Sequence, residues 1–286
     1  MFHAGELRAQ ALAGVSASGA AIREFMPEQH RTFFAALPFL LLASTDDDGW
    51  PVATLLAGAP GFVSSPDQRS LRIEAAAGAP DPVRALLRPG RPVGLLGIDF
   101  NSRRRNRANG IVCEAGPDAL DIAVTQSFGN CPKYIQPREV RVTPASARPA
   151  ATLSPLAGLD GQARALISTA DTFFVATSAG QAGERPGGVD MSHRGGAPGF
   201  VKIAGDTLVC PDYAGNRYFN TLGNMLLEPR AALLFIDFSN GDLLHLQGRS
   251  EIVWRAEDNQ DFPGAERLWR FRVERGWRGA GPLRAE

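Results

Sequence analysis

The hexapeptide Gly-Ala-Pro-Gly-Phe-Val occurs twice in the chain, at Gly58–Val63 and again 138 positions later at Gly196–Val201. The same offset relates Leu-Leu-Gly-Ile-Asp-Phe from Leu95 to Leu-Leu-Phe-Ile-Asp-Phe from Leu233, and Gly110 to Gly248. Upstream, Phe39–Ser44 (FLLLAS) aligns with Phe173–Ser178 (FFVATS) at an offset of 134, which places four extra residues of the second copy in the loop AGQAGERPGG. Solenoid repeats run roughly 20–50 residues, so a period this long means a duplicated domain. The 286 residues are ample for two domains of about 100–150 residues.

Each copy has the same order of elements. A helix comes first, over Met26–Leu37 and Asp160–Ala170, with Pro27 placed for a first helical turn. Short apolar strands follow, bounded by Gly, Pro and Asp, and Asp46–Gly49 reads as a hairpin turn. A short helix then precedes the strand ending in Ile-Asp-Phe, and another strand follows it. Many short strands with one or two helices per copy predict a mainly β, α+β chain of two small antiparallel barrels. The Pro/Ala/Ser-rich stretch Arg141–Pro155 marks the junction. The expected division is a first barrel with N-terminal helices over 1–143, a linker over 144–158, and a second barrel over 159–286.

Cations and anions balance at 30 each, which argues against a nucleic-acid surface. The three cysteines have no metal or disulfide spacing, and the four histidines lack ligand spacing, so no metal is expected. No apolar run is long enough to span a bilayer, and the N-terminus lacks a signal-peptide core. A soluble cytoplasmic protein is the expectation.

The copies differ where chemistry would sit. The second copy has Asp-Met-Ser-His-Arg-Gly-Gly (Asp190–Gly196) where the first has uncharged Val-Ala-Thr-Leu-Leu-Ala-Gly. On a strand Asp190, Ser192 and Arg194 share one face, and a hydroxyl with a guanidinium two residues on can hold a phosphate. Gly195 and Gly196 leave room for a close backbone approach. Downstream, Pro211–Asn224 (PDYAGNRYFNTLGN) leads from a strand into a helix whose first N–H groups favour an anion. Taken alone, Asn216 or Asn220 is an ordinary helix cap; beside Ser192 and Arg194, they add donors to a phosphate site. The arginine run Arg103, Arg104, Arg105 and Arg107 reads first as a solvated hairpin tip, with attraction of a phosphorylated substrate or nicotinamide nucleotide as the alternative. Cys131 reads as a buried structural thiol, and Asp99 and Asp237, at equivalent strand ends, as parts of the frame.

With Asp-Met-Ser-His-Arg-Gly-Gly-Ala-Pro-Gly-Phe-Val and Pro-Asp-Tyr-Ala-Gly-Asn, the chain resembles the pyridoxamine 5′-phosphate oxidase-like, FMN-binding split barrels, in a tandem two-barrel form. The resemblance spans roughly residues 26–255 and is more specific in the second half. It implies FMN as cofactor, held between the barrels. It also implies cofactor contacts from Met191, Ser192, His193, Arg194, Pro211, Asp212, Asn216, Arg217, Asn220 and Thr221, completed by Lys133, Tyr134 and Gln136 of the unduplicated stretch Gln126–Arg138. The implied activity is FMN-dependent oxidoreduction of a small molecule, with a nicotinamide nucleotide as one candidate electron donor and no catalytic residue singled out. The alternatives are a non-catalytic flavin carrier or sensor, and a barrel binding haem or a deazaflavin. A further homodimer of the two-barrel chain is left open.

Overall fold

The computed structural model describes residues 2–74, 83–144, 153–180, 188–254 and 261–285. Most of the linker stretch and of the AGQAGERPGG loop therefore lies outside the described residues.

The first half runs α1 (Ala4–Leu12), α2 (Glu28–Ala36), β1 (Phe39–Thr45), β2 (Pro51–Ala57), β3 (Val63–Ser64), β4 (Ser70–Ile73), β5 (Pro92–Asp99), β6 (Arg104–Ala115), β7 (Leu120–Asn130) and β8 (Val140–Val142). The second runs β9 (Ser154–Leu156), α3 (Gly161–Thr169), β10 (Thr172–Ser178), β11 (Val189–Gly195), β12 (Lys202–Ala204), β13 (Thr207–Tyr213), α4 (Asn220–Leu227), β14 (Arg230–Ile236), β15 (Asp242–Val253), β16 (Ala265–Ala280) and β17 (Leu283–Ala285). The two large antiparallel sheets have the orders β2-β1-β5-β6-β7-β4-β3 and β11-β10-β14-β15-β16-β13-β12, the same order strand for strand. The chain is mainly β and forms two tandem split barrels.

The duplicated frame has physical reasons. A side chain at Gly58 or Gly196 would strike the ring of Phe62 or Phe200, so the glycine and the phenylalanine of each Gly-Ala-Pro-Gly-Phe turn fit only each other. Gly61 and Gly199 take positive φ (96° and 77°), where other residues are strained. β6 and β15 bulge at the same step, Asn109/Gly110 and Gln247/Gly248. A methyl on either bulge glycine would lie well inside contact distance of a backbone carbonyl, Ala123 O or Arg272 O. Gly110→Ala and Gly248→Ala are each expected to cost about 3 kcal/mol of stability, measured by urea unfolding, because backbone cannot give way as a side chain can. Asp99 and Asp237 both accept from the backbone N–H two residues on, at 3.0 and 2.9 Å, which makes them matched turn-holding residues.

Strand pairing corrects the offset of the first strand. Leu41 pairs Leu96 and Phe174 pairs Leu234, so β1 and β10 correspond at an offset of 133, not 134. From β2 and β11 onward the offset is 138, so the intervening loop gains five residues rather than four. The core confirms the register. Leu40 and Leu42 fill the first barrel as Phe173 and Val175 fill the second. Phe39, Leu41 and Ala43, with Phe174 and Ala176, build a third core between the barrels.

That third core follows a pseudo-twofold axis. β11 packs against β5 as β2 packs against β14, β11 against β1 as β2 against β10, and β11 against β6 as β2 against β15. A self-complementary pattern of this kind is the signature of a twofold interface, here within one chain. Three further contacts tie the halves together: α1 packs on α4, β8 pairs with β17, and Arg138 bonds Asp171 at 2.5 Å. No helix among the described residues is long and apolar enough to cross a membrane.

In the first barrel the short helix expected before β5 is a single 3-10 turn, Arg84–Leu86. α2 begins at Glu28, so Pro27 takes the cap position rather than the first turn. Asp160 caps α3 through the Ala163 N–H at 2.9 Å.

Candidate functional site

β11 is buried between the barrels except at half-buried Arg194, and strand alternation divides its side chains. Asp190 and Ser192 point toward α4 and Arg194, on the same face, reaches β13, whereas Met191 points into the shared core. β6 of the first barrel reaches the same place, and its alternate residues Arg105, Arg107 and Asn109 face β11. Arg107, 8% exposed, donates to Ser192 Oγ at 2.7 Å and to Asn220 Oδ1 at 3.3 Å, and lies 3.5 Å from Asp190 Oδ1. Asn109 and Asn224 donate to the two Asp190 oxygens at 2.9 and 3.2 Å. Thr221 Oγ1 bonds Ser192 Oγ at 2.8 Å. Burial lowers the Arg107 pKa to about 10, against the pull of Asp190, so the guanidinium stays charged at neutral pH.

A cleft opens beside this network, lined by Arg105, Arg107, Ser192, His193 and Arg194 on one side and by Pro211–Tyr213, Asn216, Arg217 and Phe219–Thr221 on the other. Arg194 donates to Asp212 Oδ1 at 2.6 Å, and Arg267 to Asp212 Oδ2 at 3.0 Å. Three buried donors of the cleft lining have no partner among the described residues: Arg107 Nε, Arg194 Nε and His193 Nε2. Arg105 lies 2.8 Å from His193 Nδ1, which must accept from it, so the imidazole proton resides on Nε2. Burial, reinforced by Arg105 and Arg194, holds the His193 pKa well below its ordinary value and keeps the ring neutral.

α4 starts in this cleft without a side-chain cap. Its cap residue is Phe219, in left-handed conformation (φ 60°, ψ 27°) beneath the Arg267 guanidinium at 4.8 Å. Neither asparagine caps: Asn216 closes a turn onto the Tyr218 N–H at 3.1 Å, and Asn220 is already helical and bridges Arg107 to Glu6 of α1. The first N–H groups of the helix thus face the cleft with no partner in the helix. Four non-glycine residues have positive φ among the described residues, and three of them, Tyr134, Arg217 and Phe219, line this cleft. Such conformations cost on the order of 1–3 kcal/mol each and concentrate at functional sites.

A profile of the family described as pyridoxamine 5′-phosphate oxidase matches residues 159–279. The second barrel is thus similar to the pyridoxamine 5′-phosphate oxidase family. Solved structures with similar backbones include a HupZ variant of group A Streptococcus (15% identical over 42% of this chain and 98% of that one, TM-score 0.32). A FAD-binding protein of Mesorhizobium loti is 12% identical (45% and 99%, TM-score 0.32). An FMN-binding protein of Syntrophomonas wolfei subsp. wolfei is 13% identical (43% and 82%, TM-score 0.28). No curated protein matches the chain.

Most of the residues expected at the site converge in this cleft: Ser192, His193, Arg194, Pro211, Asp212, Asn216, Arg217, Asn220, Thr221 and Tyr134 all line it. Three do not. Met191 is buried in the inter-barrel core, Lys133 is exposed and outside the lining, and Gln136 donates to Gly196 O at 2.9 Å. Tyr134 stacks on Tyr213 at 5.0 Å and donates to Ala214 O at 3.2 Å. The room left by Gly195 is filled by the backbone of Tyr134, so that glycine serves barrel-to-barrel packing. Cys131 is half-buried and lines the cleft; the buried structural thiol is Cys210, whose pKa burial raises. The arginine run divides: Arg103 and Arg104 are exposed, but Arg105 and Arg107 belong to the site.

At the pseudo-symmetric position no such cluster exists among the described residues. Thr54 and Leu56 of β2 stand for Ser192 and Arg194, and His245 and Gln247 of β15 stand for Arg107 and Asn109. There the polar groups bond main chain directly, His245 to Ala53 O at 3.0 Å and Gln247 to Pro51 O at 2.9 Å. The His245 ring stacks on Trp277 at 4.9 Å.

Proposed function

We propose that the chain is a flavoprotein that grips one FMN by its phosphate in the cleft between β6, β11 and the start of α4, and that it acts as an FMN-dependent oxidoreductase on a small molecule. The observation that carries this reading is the set of unpartnered buried donors, Arg107 Nε and Arg194 Nε, beside the uncapped α4 N-terminus. Unpaired buried donors are costly, and a multi-oxygen anion would satisfy several at once. The enclosed part of the cleft, about 100 Å³, has room for a phosphate-sized group, and the mouth lies between the barrels. Ser192 and Thr221 would add hydroxyls, Asp212 orients Arg194, and Asp190 holds Arg107 in place. A bound flavin supplies hydride or single-electron chemistry. The neutral His193 offers a fixed Nε2–H to a carbonyl or ring nitrogen, and the Tyr134–Tyr213 stack shields the cleft edge from water.

Arg194→Ala is expected to weaken FMN binding by about tenfold to a hundredfold, from the loss of a charge-assisted hydrogen bond. Riboflavin, without the phosphate, should bind weakly and equally to both proteins. Titration of both flavins into apo-protein decides this: equal losses for the two ligands would refute a phosphate role. Flavin quantification should give one equivalent per chain, because His245 and Gln247 close the mirror position; two equivalents would contradict the asymmetry. Bleaching of the flavin band by a nicotinamide nucleotide, followed by reoxidation with turnover, would separate an enzyme from a carrier.

A further inference from the structure

A second cavity, of about 560 Å³, lies on the first barrel between α2, the end of β5 and the start of β6. Its wall is apolar: Phe33, Leu37, Phe39, Ile98 and Phe100. Two guanidiniums stand at it. Arg104 lies over the Phe33 ring at 5.1 Å and makes no hydrogen bond or ion pair among the described residues. Arg138 lies between Phe238 (4.1 Å) and Phe100 (5.3 Å), bonds Asp171, and keeps a buried Nε without a partner. The carboxylates of the lining are engaged, Asp99 with Asn101 N–H and Ser102, and Glu28 with Arg31.

The duplication supplies an internal comparison. At the equivalent positions of the second barrel Phe33 becomes Leu166 and Arg104 becomes Asp242, so the frame alone does not require an aromatic and a cation here. We propose that this cavity is a binding site for an amphipathic monocarboxylate, its aromatic or acyl body against the phenylalanine wall and its carboxylate on Arg104. The free cation selects an anion, and the size and lining select an apolar body. The segment 131–138 supplies Tyr134 to the flavin cleft and Arg138 to this cavity, but binding here does not depend on flavin.

The test is calorimetric titration of the full chain with naphthoate and octanoate, each beside its neutral amide. At least one acid should bind saturably, about tenfold more tightly than its amide, as expected for a charge-assisted contact at an apolar mouth. Naphthoate alone would assign an aromatic body, and octanoate alone an acyl one. Arg104→Gln, at an exposed position, should erase the preference for the acid and leave the melting curve unchanged. Ala36→Trp, which fills the mouth from an exposed helical position, should abolish binding of either body. The proposal is overturned if neither acid saturates, if the acid preference survives Arg104→Gln, or if binding survives Ala36→Trp.

Discussion

Arg107→Ala is expected to destabilise the protein by about 3–5 kcal/mol and to abolish measurable flavin binding, the largest effect of any single substitution in the cleft. Removal of the guanidinium leaves the Asp190 carboxylate, 3% exposed, with neutral amide donors and no counter-charge. It also takes one bond each from Ser192 and Asn220. The residue lies on the first barrel and its partners on the second, so the loss falls on the junction between barrels as well as on the site. Asp190→Asn in the same chain should restore much of the stability, because the uncompensated charge is gone, but not the flavin affinity, because the donor proposed for the phosphate is still missing. Urea unfolding and FMN titration of the two single variants and the double variant give the result. If the double variant regained both properties, Arg107 would be structural only.

That residue shows where a sequence reading stops. Arg107 sits in a run of arginines, and such runs are usually solvated. The discriminating signal is alternation: Arg105, Arg107 and Asn109 are every second residue of a strand, and the equivalent positions of the duplicate hold Leu243, His245 and Gln247. The two-barrel frame was legible because its turn and bulge glycines tolerate no replacement and so recur at constant spacing. The offset of β1 was misread by one residue because Phe39 and Phe173 look equivalent. One faces the other barrel and the other fills its own, and a slip of one residue exchanges the faces of a strand. Strands buried on both faces are apolar throughout and carry no alternation that could correct the error. The polar cluster on β11 was legible because it broke the repeat. Its support from α1 was not, since a lone glutamate in a short helix marks nothing.

Raising the pH is expected to loosen α1 from the site. Glu6, 3% exposed, accepts from Asn220 Nδ2, and its second oxygen accepts from the His3 N–H at 2.9 Å. Gly5 and Gly223 let the two helices approach so closely that a methyl on either would meet the other backbone. Burial, and then the nearby Asp190 charge, raises the Glu6 pKa to about 7. The docked helix therefore binds the proton more tightly than the undocked one. Its stabilising contribution is complete below the ordinary carboxylate pKa and is lost as pH climbs through about 7, to the extent of about 3 kcal/mol for a shift of this size. Undocking frees Asn220, a partner of Arg107, so the cleft loses a support as the helix leaves. Trypsin cleavage after Arg8, an exposed residue of α1, reports the opening. Glu6→Gln keeps the side chain neutral at every pH and serves as the reference. The ratio of wild-type to Glu6→Gln cleavage rates should rise by about tenfold to a hundredfold between pH 5 and pH 8. A ratio that stayed flat would mean that the carboxyl titrates as an ordinary surface acid, and α1 would then be a fixed part of the barrel junction.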